Sequence, residues 1–224
     1  MSIASRRRAS ALASAAVGLA CLFGALAPAT SLGATQEDKT TFSVIAGSLT
    51  FSTAPAMPTL SSVTLNGQAQ TTNTTMTNIG VADATGSGSG WNVTVNGQSG
   101  AGKSAVFALY CPKATCGANP EGYVKPEVTL PANSLVLNST GAGFTAQNGT
   151  TGTAPTHQCA AGCNVDSASA VKILSAAAGA GMGTYLTNAF SATSLALSTP
   201  TTLKVPANGE VYRVNLLWTL STGP

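Results

Sequence analysis

The chain has 224 residues, of which 44% are hydrophobic and only 8% are charged. Its formal net charge of +3 comes wholly from Arg6, Arg7 and Arg8. Beyond them, Lys39, Lys103, Lys113, Lys125, Lys172, Lys204 and Arg213 balance Glu37, Asp38, Asp83, Glu121, Glu127, Asp166 and Glu210. A neutral chain so poor in charge has no field to steer it toward nucleic acid or anionic lipid, and it favours self-association or a surface-bound life.

Residues 1–34 read as an export signal. Arg6 to Arg8 form a positive start, residues 11–27 an Ala-rich apolar run, and Ala27-Pro28-Ala29 an A-x-A cleavage site. Cleavage is expected after Ala29 or after Ala34. Ser14 and Gly18 interrupt the run, whereas a membrane span needs ~20 predominantly apolar residues, so no span is expected after processing. The Arg run is compatible with twin-arginine export, although ordinary secretion is the plainer reading. Gly18-Leu19-Ala20-Cys21 departs from a lipoprotein box, which leaves Cys21 as part of the signal.

The remaining stretch, residues 35–224, is long enough for one sizeable domain. Its pattern predicts many short strands. Residues 41–52 alternate around Phe42, Val44, Leu49 and Phe51. Residues 62–65 end in an Asn66-Gly67 turn, and residues 76–82 precede the glycine-rich loop 86–90. Residues 91–95 put Trp91, Val93 and Val95 on one face, and Asn96-Gly97 closes the strand. Residues 105–110 are apolar on both faces and could equally form a helical turn. Residues 141–164 look like a flexible inserted loop. Residues 168–178 have Val171, Leu174 and Ala178 in helical phase and predict one short helix. Residues 195–197 and 203–205 are short strand candidates, and Pro206-Ala207-Asn208-Gly209 is a turn. The last strand sets Tyr212, Val214, Leu216, Trp218 and Leu220 on one face. This spacing indicates a mostly β, antiparallel sandwich or barrel-like domain.

Four cysteines remain after the signal: Cys111, Cys116, Cys159 and Cys163. An even number in an exported chain reads as two disulfides, and the local pairs Cys111–Cys116 and Cys159–Cys163 are favoured among the three connectivities. A four-cysteine zinc site is the competing reading, but the spacings lack the C-x2-C of a zinc ribbon.

The two Trp residues share one frame: Trp91-Asn92-Val93 and Trp218-Thr219-Leu220. With the Asp and glycine loop before Trp91, the Gly181-Met182-Gly183-Thr184 run and the Leu217-Trp218-Thr219-Leu220 ending, the chain resembles the WxL-domain family of bacterial surface proteins. The resemblance spans nearly all of residues 35–224. Val93 stands where Leu is typical, and the cysteine couples lie outside the family pattern. The resemblance implies a secreted protein held non-covalently at the cell wall, usually described as binding peptidoglycan, with a membrane-anchored surface protein as a further partner.

A Trp and an aliphatic on one strand face are more often core than ligand site. That assigns Trp218 and Leu220 to structure, because their strand has a full apolar face. Trp91 follows a glycine loop and is expected to be partly exposed, which weights ligand contact toward Trp91, Val93 and Asp83. Nothing calls for a metal or cofactor. His157, the only histidine, is expected to be a solvated loop residue beside Cys159 rather than a base. The acids are scattered, no G-x-S-x-G elbow occurs, and the glycine runs lack a phosphate-loop Lys. The expected role is binding or structural, without catalysis. The alternatives are a subunit of a surface complex or fibre and, after it, a wall-active hydrolase.

Overall fold

The computed structural model describes residues 35–224 apart from residues 118, 119 and 208; the expected signal at residues 1–34 and part of the turn at Asn208 lie outside the described residues. The chain divides into two units, Met1–Ser43 and Val44–Pro224. Of the first, residues 35–43 are exposed and carry no regular structure.

The second unit is all β. Its strands are β1 (Leu49–Thr53), β2 (Gln70–Thr74), β3 (Gly80–Asp83), β4 (Trp91–Gly97) and β5 (Ala108–Cys111). They are followed by β6 (Gly122–Thr129), β7 (Leu135–Leu137), β8 (Phe144–Gln147), β9 (Thr156–His157) and β10 (Cys163–Asn164). The last five are β11 (Val171–Ala176), β12 (Gly183–Thr187), β13 (Leu195–Thr199), β14 (Val211–Arg213) and β15 (Leu216–Thr222). They form four antiparallel sheets, ordered β1-β3-β12-β8, β10-β7-β13-β2, β15-β4-β11-β9 and β14-β5-β6. No sheet closes into a barrel, so the sandwich alternative of the sequence reading is the one observed.

The core is a single cluster fed by alternate residues of facing strands. Trp91, Val93 and Val95 come from β4, Leu174 and Ala176 from β11, Leu135 and Leu137 from β7, and Leu195 and Leu197 from β13. Alternation is cleanest in β4, where these inward residues have no exposed surface while Asn92, Thr94 and Asn96 are half-buried. In β5 all four residues are buried, as expected for a strand covered on both faces, and the helical alternative there falls. Pro126 sits in β6, which ends its sheet and pairs with β5 through register shifts, the setting in which a strand tolerates a residue without an N–H.

The short helix expected over residues 168–178 is instead the strand β11, and no helix occurs among the described residues. A register shift between Lys172 and Leu174 explains the misreading. The extra residue buries both Ile173 and Leu174 and breaks the two-residue period, so the apolar spacing imitates a helix. The loop expected over residues 141–164 is not structureless: it contains β8, β9 and β10, each paired to a neighbour. The expected strands at residues 62–65 and 203–205 do not form.

The final strand is split in two. Tyr212, Val214, Leu216, Trp218 and Leu220 do share the inner side, but β14 pairs with β5 and β15 with β4. Asn215 makes the break. Its N–H donates to the Ser104 carbonyl (2.9 Å), its carbonyl accepts from Gln98 N–H (2.8 Å), and its Oδ1 accepts from Ser104 N–H (3.2 Å). These bonds pull the chain out of one ladder and into the next.

Candidate functional site

The two Trp frames lie on neighbouring strands. Antiparallel pairing of β4 with β15 sets Leu220 opposite Val93, Trp218 opposite Val95 and Thr222 opposite Trp91. Directly opposed residues point to the same side of a sheet, so both frames face the core. The tail after Trp218 returns to the first frame. Gly223 N–H donates to the Gly90 carbonyl (2.9 Å), and Asn92 Nδ2 donates to the Gly223 carbonyl (2.7 Å).

Their exposures reverse the expectation. Trp91 has no exposed surface, Val93 has none, and Asp83 is buried at 5%. The glycine loop before Trp91 is bonded down rather than open. Gly179 N–H donates to the Gly88 carbonyl (2.8 Å), and Asp83 Oδ1 accepts from Thr85 N–H (3.0 Å) and Thr85 Oγ1 (2.7 Å). From Thr85 a hydroxyl chain runs through Ser87 to Ser89. The indole itself is closed over by Gly181, whose carbonyl accepts from Trp91 Nε1 at 3.0 Å. Gly181 has φ +71°, and a Cβ there would stand 2.7 Å from Nε1 and 2.5 Å from Ala176 Cβ. The Gly-Met-Gly run thus has a physical reason in its first glycine: the backbone must come within hydrogen-bonding distance of the ring.

Trp218 is the half-buried one. It and Leu220 pack against the core from β15, the edge strand of its sheet. Trp218 lines a groove of about 920 Å³. One wall is a strap, residues 54–69, that contributes Met57, Leu60, Val63 and Leu65. The opposite wall runs from Leu203 through β14 to Trp218. Polar groups sit among the aliphatics. Tyr110 O–H donates to Glu121 Oε1 (2.6 Å), which raises the phenol pKa, and the Arg213 guanidinium lies 4.3 Å from the Tyr110 ring centre. Glu210 pairs with Lys125 at 3.3 Å.

The family model described as "WxL domain surface cell wall-binding" matches residues 33–224. The chain belongs to the WxL family. It is therefore a cell-surface, wall-associated protein. No curated protein and no solved structure matches this WxL domain. The groove was missed in the sequence because its walls come from chain distant in sequence and its strap has no strand period. The only local signal was the Pro55, Met57, Pro58 and Leu60 cluster.

The other residues singled out in the WxL domain take local roles. Cys111 lies beside Cys116 and Cys159 beside Cys163, at disulfide distance, with Cα–Cα separations of 5.6 and 5.2 Å. The couples occupy different sheets, so the four sulfurs do not converge as a zinc site would require. Intact protein from its native compartment is expected to weigh four protons less than its reduced form. Loops this short contribute roughly 2 kcal/mol each on the loop-entropy estimate. Free thiols by mass spectrometry would remove this stabilisation from the account.

His157 is not a solvated loop residue. It lies in β9, half-buried, with its ring stacked on Phe144 (4.6 Å between centres) and edge-on to Phe190 (5.7 Å). Burial lowers its pKa below the usual 6.5, and Nδ1 is buried without a hydrogen-bond partner. The unfolded chain then takes up a proton that the fold resists. Stability is full above the ordinary histidine range and falls as pH drops through it toward the lowered value. The melting temperature is expected to fall between about pH 7.5 and about pH 5.5, and His157→Phe to flatten that fall. Asp166 works the other way and lower on the scale: its burial raises the carboxyl pKa, so protonation there favours the fold.

Proposed function

We propose that this WxL domain is a binding module without turnover, held at the wall through the groove beside Trp218. The observation that carries the reading is the division of labour between the tryptophans. Trp91 is sealed into the core with its N–H satisfied, while Trp218 is half-buried and lines the groove together with Tyr110 and Tyr212. An aromatic face flanked by hydroxyls is suited to the rings of a wall glycan such as peptidoglycan. The ligand role first weighted toward Trp91, Val93 and Asp83 passes to the Trp218 side, and Leu220 keeps its packing role.

The test is sedimentation with purified peptidoglycan. Trp218→Ala is expected to weaken binding on the order of tenfold, equivalent to about 1.4 kcal/mol, while Trp218→Phe keeps most of it. Wild-type binding by Trp218→Ala would overturn the groove as the wall contact. Release of soluble muropeptides would replace the binding module with a hydrolase, with Glu121 and Glu210 of the groove as the first acids to vary.

A second reading, a subunit of a surface assembly, is supported by the rest of the groove lining. Met57, Leu60, Val63, Leu203, Val205 and Val211 offer aliphatic surface, which suits a protein segment better than a sugar. Wall sedimentation that requires a second surface protein would favour it.

A further inference from the structure

The groove is apolar and unfilled, and a segment of the same chain is apolar and uncovered. Residues 41–46, Thr-Phe-Ser-Val-Ile-Ala, precede β1 without forming a strand, and Phe42, Val44 and Ile45 are 89%, 81% and 91% exposed. Contiguous large side chains left this open mark an interaction site. The segment is uncharged, rich in β-formers and free of proline, as a strand donor must be. It also lies inside the stretch matched by the WxL family, so it belongs to the module.

The groove suits a strand. β14 ends its sheet and leaves one side without a strand partner. Across from it, the strap makes no backbone-to-backbone hydrogen bond among the described residues. It is tied instead by side chains: Thr77 Oγ1 bonds the N–H and carbonyl of Ala56, and Gln70 Nε2 donates to the Thr64 carbonyl. An extended segment between the walls would find unpaired backbone on both sides and aliphatic pockets for alternate side chains. Of the groove's charged residues, Glu210 pairs with Lys125, Glu121 accepts from the Tyr110 hydroxyl and Arg213 lies over the Tyr110 ring, while Lys204 has no ion pair among the described residues.

Within the second unit, residues 44–46 are tied at the end of β1 away from the strap. Gly47 N–H donates to the Ala84 carbonyl (2.8 Å), and Ala84 N–H donates to the Ser48 carbonyl (3.1 Å), which anchors the chain just after Ile45 at the Leu49 end of β1. The strap starts from the Thr53 end, roughly 13 Å away at ~3.3 Å per residue. Residues 44–46 and the strap therefore join β1 at opposite ends.

We propose that residues 41–46 of one copy add as a strand in the groove of a second copy, so that the protein associates head to tail. This rests on the assembly reading of the groove. Because donor and acceptor are different surfaces, the contact is heterologous, and each copy keeps a free donor or groove through which further copies can join.

Sedimentation velocity of the full-length chain tests this with two double variants at exposed positions. Phe42→Asp with Ile45→Asp removes the donor, and Val205→Asp with Val211→Asp removes the acceptor; unchanged melting temperatures verify folding. Wild type is expected to pass from monomer to dimer and longer species as concentration rises, and each variant to stay monomeric. Their equimolar mixture, which has one intact donor and one intact groove per pair, is expected to form 1:1 dimers that grow no further. A wild type that is monomeric at all concentrations, or a mixture that stays monomeric, overturns the proposal. Association that survives the groove variant removes the assembly reading itself, and the Trp218→Ala sedimentation with peptidoglycan is read independently of both.

Discussion

Trp91→Ala is expected to leave the protein unfolded or barely folded at growth temperature, while Trp218→Ala melts only a few degrees below wild type. The indole of Trp91 is the largest side chain in the core with no exposed surface, and its loss costs ~3–5 kcal/mol in transfer and cavity terms. It also strips the Gly181 carbonyl of its donor, a buried polar group whose desolvation adds about 1–3 kcal/mol. Against a total of ~5–15 kcal/mol for a domain, little remains. Trp218 keeps part of its surface open and makes no side-chain hydrogen bond among the described contacts, so its truncation removes less. Thermal unfolding of the two variants side by side decides the matter. A Trp91→Ala protein as stable as Trp218→Ala would mean that the ring does not organise the core.

The strands nearest the Trp frames were legible because their period is clean. In β4 and β15 every second residue is apolar up to Leu220, Thr222 being the exception, and the alternate positions are Asn, Thr and Ser apart from Leu217, so face and direction follow directly from the pleat. Legibility failed where the ladder is irregular. The bulge in β11 mimicked a helix, and Asn215 broke one apparent strand into two by bonding sideways to residues 98 and 104. The strands within residues 141–164 are two to four residues long, too short for any period to show.

The site was legible in identity and not in role. The two frames and the Gly181 run stand out as a pattern, yet which ring is sealed depends on what lies over it. Gly181 descends on Trp91 from ninety residues away, whereas Trp218 stays half-buried and its indole makes no hydrogen bond among the described residues. A glycine-rich approach reads as flexibility in a sequence. Here the Asp83–Thr85–Ser87–Ser89 chain of bonds makes it a fixed lead-in to a buried residue.

That closure yields the second large expectation: Gly181→Ala is expected to lose roughly 2–5 kcal/mol although it adds a single methyl. A side chain at φ +71° costs about 1–2 kcal/mol by itself. The added Cβ would stand 2.7 Å from Trp91 Nε1 and 2.5 Å from Ala176 Cβ, so the indole must move and its buried hydrogen bond to the Gly181 carbonyl must stretch or break, about 1–3 kcal/mol more. Only the second part depends on the indole. In a Trp91→Phe background the five-membered ring and its N–H are gone and the methyl has space to enter. The two substitutions together should therefore destabilise less than their separate losses added, by about 1–2 kcal/mol in a double-mutant cycle measured by denaturant unfolding. A cycle that closes with no coupling would mean that Gly181 is needed for its backbone angle alone, and that the contact with Trp91 contributes nothing to the choice of glycine.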